Sequence, residues 1–389
     1  MRNVAVIGVG MTKFGKFIDR TLKDLSREAV ENALADVGMS KDQIQAAYVG
    51  NTSAGIVTGQ HCIRGQVILR AMGIDDIPIM NIENACATGC AAFYMAWMDV
   101  ASGLHDCVLA LGVEKVYHSD KKVSYEAVNA VRDVELYSAP EQIGKALLGH
   151  AERARNYMAN YGLTREQLAM VCSKNHYNGS LNPYAQYQKP MTVDEILGFR
   201  VVADPITVPM CSPLGDGAAA AIVCSADDAK KYTTRPVFVA TSVFRTGKDI
   251  GPDDPILTER TSKQAYEQAG IGPDDIGIFE INNAVSFLEI EAYESLGICG
   301  RGESPALIDS KQTELTGRYA VNPSGGLESR GHPFGATGLA QIVEIVWQLR
   351  GQAGQRQVAG PPMLGLAEMN GGLGDPDESA AEGITILKT

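Results

Sequence analysis

One cysteine of the eight stands where a thiol can do chemistry. In Asn81-Ile-Glu-Asn-Ala-Cys-Ala-Thr-Gly-Cys90, Cys86 sits among small residues just after the strand-like run Ile77-Pro-Ile-Met-Asn-Ile82. Ala87-Thr-Gly89 and Cys90-Ala-Ala-Phe-Tyr-Met-Ala-Trp97 read as a helix, whose first-turn N–H groups and positive dipole end favour a thiolate at Cys86. A candidate nucleophile is one reading; a small buried hydrophobe is the plainer one. The remaining cysteines, at 62, 90, 107, 172, 211, 224 and 299, are scattered without a CxxC pair or histidines at metal spacing. Reduced thiols and no metal in this chain are therefore expected. A second stretch, Asn322-Pro-Ser-Gly-Gly-Leu-Glu-Ser-Arg-Gly-His-Pro-Phe-Gly-Ala-Thr-Gly338, carries His332 on a glycine-rich loop that brings backbone and ring close to a ligand. Gly8-Val-Gly10 imitates a dinucleotide loop, but Lys13 stands where the third glycine belongs, so a strand-to-loop turn is expected there.

The elements that hold these stretches alternate. Asn3–Gly10 reads as a buried strand, Thr21–Asp36 as a helix stopped by Gly38, Ile44–Gly50 as a strand, Gln60–Met72 as a helix, and Cys107–Val113 as another strand. From about 117 to 200 the chain turns polar, tyrosine-rich and helical, an insertion of the kind that contacts substrate. The rhythm returns with strands at Ala218–Cys224, Val237–Val243 and Ile276–Asn282, a helix through Phe287 to Leu296, and a helix from about Leu339 to Leu349. Cys86 and the His332 loop each precede a long helix at matching points, so an α/β fold of two duplicated halves is expected, residues 1–235 and 236–389.

Composition narrows the function. With 45% hydrophobic and 21% charged residues the chain is that of an ordinary globular protein, and its formal charge of -12 argues against nucleic-acid binding. Neither a signal peptide nor a membrane span is legible, and a cytoplasmic protein is expected.

Four motifs, in order, resemble the thiolase superfamily from about residue 2 to the end: Asn84-Ala-Cys-Ala-Thr-Gly89, Cys211-Ser-Pro-Leu-Gly-Asp-Gly-Ala-Ala219, Asn282-Asn-Ala-Val285, and Asn322-Pro-Ser-Gly-Gly-Leu327 with Gly331-His-Pro-Phe-Gly-Ala-Thr-Gly338. The resemblance implies a five-layer αβαβα core, an inserted loop domain contacting coenzyme A, a homodimer, and CoA-dependent acyl transfer through Cys86. His332 then matches the histidine that takes the thiol proton and helps form an oxyanion hole, and Asn282 the asparagine that serves the same hole. The pattern departs at Asn283 and Val285, where ordinary members carry Glu and Phe. It departs again at Leu366-Ala-Glu-Met-Asn-Gly-Gly-Leu-Gly374, where aligning the glycines puts Glu368 at the position of the acid/base cysteine. Glu368, its pKa raised by burial, is the expected substitute, with turn capping as the alternative. The N-terminal flavour is similar to archaeal-type and related bacterial thiolases, which implies a small zinc-ribbon/OB-fold partner. Within that group the resemblance extends to enzymes cleaving 2-benzoylsuccinyl-CoA to benzoyl-CoA and succinyl-CoA. Acetoacetyl-CoA thiolysis, a phloroglucinol-type acyltransferase subunit and a non-catalytic CoA-binding subunit are the alternatives.

Overall fold

The computed structural model describes residues 1–133, 135, 145–233, 235–251, 254–360, 364–373 and 378–389. Residues 134 and 136–144 of the expected insertion, and Gly374 of the expected glycine segment, lie outside the described residues.

The strands are β1 (Val4–Met11), β2 (Ala46–Gly50), β3 (Ile79–Ile82), β4 (Cys107–Glu114), β5 (Val201–Ala203), β6 (Ile206–Thr207), β7 (Gly217–Ser225), β8 (Val237–Thr246), β9 (Ile278–Glu280), β10 (Ala320–Val321), β11 (Leu364–Leu373) and β12 (Ser379–Lys388). Strands β5 and β6 form a separate ribbon, and the others join in the order β10-β9-β11-β12-β8-β1-β7-β4-β2-β3. Cutting between β8 and β1 exposes the duplication. From each outer edge inward, β3-β2-β4-β7-β1 and β10-β9-β11-β12-β8 pair parallel, parallel, antiparallel, antiparallel. The two sets touch through β1 and β8 at Ala5–Phe238 and Val6–Val237.

Two helices, Thr88–Ser102 and Phe334–Leu349, pack together between the sets and contact strands of both. Leu22–Val37 covers the outer face of the first set and Leu257–Ala269 that of the second, which completes five layers. The first of these is bounded as its sequence dictates: Thr21 and Asp24 form a capping box, and Gly38 closes the helix at φ 67°. The helix expected from Leu339 begins at Phe334, so Gly335 and Gly338 lie inside it. Close packing explains glycines in a helix interior. A Cβ on Gly338 would lie 2.5 Å from Cys90 N, and one on Gly89 2.8 Å from Leu339 N, so the two central helices meet backbone to backbone.

The insertion supplies helices Lys121–Asn129, Lys145–Tyr161, Arg165–Ser180 and Val193–Leu197. Its buried Ala151, Ala154, Leu168 and Cys172 share a cluster with Phe279 of β9 and with Phe287 and Ile290 of the helix Ser286–Ser295. Insertion and C-terminal half thus build one wall together. Among the described residues no helix is long and apolar enough to cross a membrane.

Candidate active site

The candidate nucleophile segment is held in a sharp elbow. Ala85 adopts φ 49°, an uncommon left-handed conformation for a residue with a side chain, and Ala85–Ala87 form one 3-10 turn before the helix Thr88–Ser102. Side chains fix the turn. Asn84 N–H donates to Thr88 Oγ1 at 2.8 Å, Thr52 Oγ1 donates to Ala85 O at 3.0 Å, and Ala85 N–H donates to Glu83 Oε1 at 2.7 Å. Cys86 emerges partly exposed, packed against two buried clusters, one of Val116, Ala127 and Phe334 and one that includes Leu327 and Met369.

His332 reaches it from the other half of the duplication. Nε2 lies 3.2 Å from Cys86 Sγ, and Nδ1 lies 2.9 Å from Thr337 Oγ1. Thr337 Oγ1 also donates to Pro333 O at 2.9 Å. A hydroxyl has one proton, and here the Pro333 carbonyl takes it, so Thr337 must accept from His332 Nδ1–H. The Nε2 lone pair is therefore left to face the thiol, which is the tautomer a base needs.

The thiolate expected at Cys86 is not favoured. Burial, then the charges of Glu114 and Glu83, push its pKa up to about 12, against the backbone N–H groups of Cys86 and Gly372 that face the sulfur. Burial, then Arg330, holds His332 down to about 3. Helix-end donors are outweighed by desolvation and two carboxylates, and the resting pair is neutral thiol and neutral imidazole. Glu114 is itself pushed up to about 7, chiefly by burial. It accepts from Thr52 N–H at 3.0 Å and from Gly335 N–H at 3.1 Å, tying the Cys86 elbow to the first turn of the His332 helix.

Asn282 follows β9. Its N–H donates to Glu368 Oε2 at 2.8 Å, its Nδ2 donates to Asn370 Oδ1 at 2.8 Å, and its Oδ1 accepts from Ala284 N–H at 3.0 Å. The expected acid/base role of Glu368 needs correction. Side chains alternate along β11, and its pairing with β12 is regular from Leu364 to Gly371. Met369 packs beside Cys90, and a Cβ on Gly371 would lie 2.5 Å from Cys86 N, so these two face the Cys86 side of the sheet. Glu368 faces the other way, toward Glu382 and the outer helix Leu257–Ala269 that supplies Thr258. It is 1% exposed, and both its oxygens accept hydrogen bonds, from Asn282 N–H and Asn370 Nδ2.

Comparison with known proteins fits this geometry. A family model for the thiolase N-terminal domain matches residues 4–204, and one described as thiolase C-terminal domain-like matches 255–383. The chain belongs to the thiolase family. It is 42% identical over 381 residues to an acetyl-CoA acetyltransferase of Methanothermobacter thermautotrophicus, covering 96% of this chain and 97% of the relative. It is 37% identical over 381 residues to the benzoylsuccinyl-CoA thiolase subunit BbsB of Thauera aromatica, covering 95% of each. Human mitochondrial 3-ketoacyl-CoA thiolase in complex with CoA superposes with a TM-score of 0.76 at 18% identity, over 100% of this chain and 98% of that one. The protein is thus a thiolase-type acyltransferase acting on coenzyme A thioesters, with the thiolase fold.

The other motifs of this thiolase are scaffolding. Asp216, buried, accepts from Val116 and Tyr117 N–H at 2.8 Å each and from Phe17 N–H at 3.0 Å, and Lys115 lies 3.3 Å away. Asn283, where ordinary thiolases have glutamate, accepts from Leu327 N–H at 2.6 Å and donates to Glu289 at 3.1 Å, stitching two loops. Thr337, Glu114, Asn370 and the Gly371-Gly372 pair were not singled out by sequence reasoning. Thr337 and the glycine pair lie inside segments that were; Glu114 carries no local signal, because only folding sets it against the Gly335 N–H.

Proposed function

We propose that this thiolase cleaves a 3-oxoacyl-CoA through an acyl-Cys86 intermediate, the specific reaction being 2-benzoylsuccinyl-CoA plus CoA to benzoyl-CoA plus succinyl-CoA. The observation that carries the reaction is the Cys86–His332 pair at 3.2 Å, with Thr337 fixing the basic nitrogen toward sulfur. As sulfur attacks the keto carbon, the thiol proton passes to His332 Nε2. The bond to the α-carbon then breaks, its electron pair forming the enolate of the departing CoA ester. With Glu368 turned away, the proton on His332 is the one delivered to the α-carbon. A CoA thiol next attacks the acyl-Cys86 thioester, and its proton returns through His332 to the cysteine sulfur. Asn282, with His332, serves the oxyanion formed at a thioester oxygen, and the N–H groups of Cys86 and Gly372, which face the sulfur, serve the oxygen of the tetrahedral adduct.

Two observations support the substrate: the identity to BbsB across 95% of both chains, and Glu368 in place of the second cysteine that ordinary thiolases carry. Such a site suits a substrate whose own carboxylate lies beside the reacting carbon. Acetoacetyl-CoA is the second reading, favoured by the 42% identity to an acetyl-CoA acetyltransferase. The two halves, residues 1–235 and 236–389, act as one unit because each supplies one member of the pair. A homodimer through β3 is supported by that strand's edge position and by Met80, 52% exposed on it. A small zinc-ribbon/OB-fold partner is supported by the relative named as a subunit.

Mass spectrometry of the Cys86 peptide after exposure to each substrate tests the reading. A benzoyl adduct from 2-benzoylsuccinyl-CoA is expected, and an acetyl adduct from acetoacetyl-CoA alone selects the second reading. No adduct from either, with the partner present, overturns both and leaves a CoA-binding subunit.

A further inference from the structure

Asn282 is held from two directions by one neighbouring carboxyl. Glu368 Oε2 accepts its backbone N–H at 2.8 Å, while Glu368 Oε1 accepts Asn370 Nδ2 at 3.1 Å, and Asn370 Oδ1 in turn accepts Asn282 Nδ2 at 2.8 Å. The three residues close a ring. Asn282 Oδ1 is fixed separately by Ala284 N–H at 3.0 Å, so neither end of the carboxamide is free to exchange.

What holds the carboxyl in turn is a second one. Register places Asn370 opposite Glu382, so Glu368 and Glu382 lie diagonally on the same face of β11 and β12. Glu382 is 0% exposed and accepts from Thr258 Oγ1 at 2.7 Å. Burial, then the neighbouring charge of Glu382, holds Glu368 well above the ordinary carboxylate range. Glu368 thus supplies the acceptors for Asn282 N–H and Asn370 Nδ2, while Glu382 behind it takes the Thr258 hydroxyl. A carboxyl on an outer face is thereby a rigid post behind the reaction site.

We infer that Asn370 and Glu368 are positioning residues that fix the carboxamide of Asn282, Asn370 by direct contact and Glu368 from behind. The inference rests on the proposed role of Asn282 in stabilising the oxyanion. Asn370 takes no proton and contributes geometry alone. Displacement of an oxyanion donor by about 1 Å lowers turnover on the order of 10²-fold.

A double-mutant cycle tests this on the full chain with its partner, using 2-benzoylsuccinyl-CoA or acetoacetyl-CoA, whichever is turned over. Asn370→Ala is expected to lower kcat at least ~10-fold with KM nearly unchanged, and Asn282→Ala to lower it further. The double variant should be no slower than Asn282→Ala alone, because Asn370 acts through Asn282. Glu368→Gln, which keeps an acceptor for the Asn282 N–H, should retain more activity than Glu368→Leu at equal thermal stability. Wild-type kcat in Asn370→Ala, or losses that simply add in the double variant, overturn the inference while leaving Asn282 in its role. Full activity in Asn282→Ala overturns that role itself.

Discussion

Thr337 decides which nitrogen of His332 meets the cysteine, and Thr337→Val is the sharpest test of that statement. The residue is 0% exposed, and its hydroxyl accepts from His332 Nδ1–H and donates to Pro333 O, both at 2.9 Å. Valine has nearly the same shape, so packing is kept while both hydrogen bonds are lost. A buried N–H left without an acceptor costs about 1–3 kcal/mol. The imidazole escapes that cost by carrying its proton on Nε2 or by turning, and either change removes the lone pair from Cys86. The active tautomer thus becomes disfavoured by the same 1–3 kcal/mol, which is roughly a 5- to 150-fold loss in competent enzyme. Rapid-quench measurement of acyl-Cys86 formation, in single turnover at saturating substrate, reads this directly. Thr337→Ser keeps the hydroxyl and should stay near the wild-type rate. An unchanged acylation rate in folded Thr337→Val would refute the tautomer argument.

The pH dependence of stability carries a signature of His332. Held down to about 3 from 6.5, it binds fewer protons folded than unfolded, so its contribution is fully present above pH 6.5 and is lost as pH falls through 3. His332→Asn removes that contribution, and its denaturant midpoint should fall less steeply than wild type over this window; parallel profiles would contradict the assignment. Gly338→Ala places a Cβ 2.5 Å from Cys90 N and should lose roughly 1–3 kcal/mol in urea unfolding together with acylation rate, since both central helices must part. Retained stability and rate would show that the helices yield at no expense. Arg330, 0% exposed and 2.9 Å from Glu280, leaves a buried carboxylate behind when changed to Met, with an expected loss of about 3–5 kcal/mol; an unaltered midpoint argues that Glu280 is neutral in the fold.

Local chemistry made much of this protein legible in its sequence. The helix from Thr21 stopped by Gly38, the buried runs of β1, β4 and β7, and the placement of Cys86 and His332 before two long helices follow from periodicity, stop signals and spacing that need no tertiary contact. Hence the alternating elements could be read in advance, as could the two segments whose Cys86 and His332 the fold brings within 3.2 Å. Less of the C-terminus could be. Strands β11 and β12 are rich in glycine and polar residues and carry no alternating pattern of their own, because β11 is sandwiched between β9 and β12 and its glycines admit the Cys86 backbone.

Two conclusions belonged to the tertiary structure alone. A helix-start cysteine suggests a thiolate, but desolvation and the distant Glu114 set it as a thiol, and their strength depends on burial that no local pattern reports. Glycine alignment put Glu368 beside the reacting carbon. The pleat of β11 turned it to the opposite face, since one step along a strand exchanges the two sides of a sheet, and only the register with β12 says which side the nucleophile occupies.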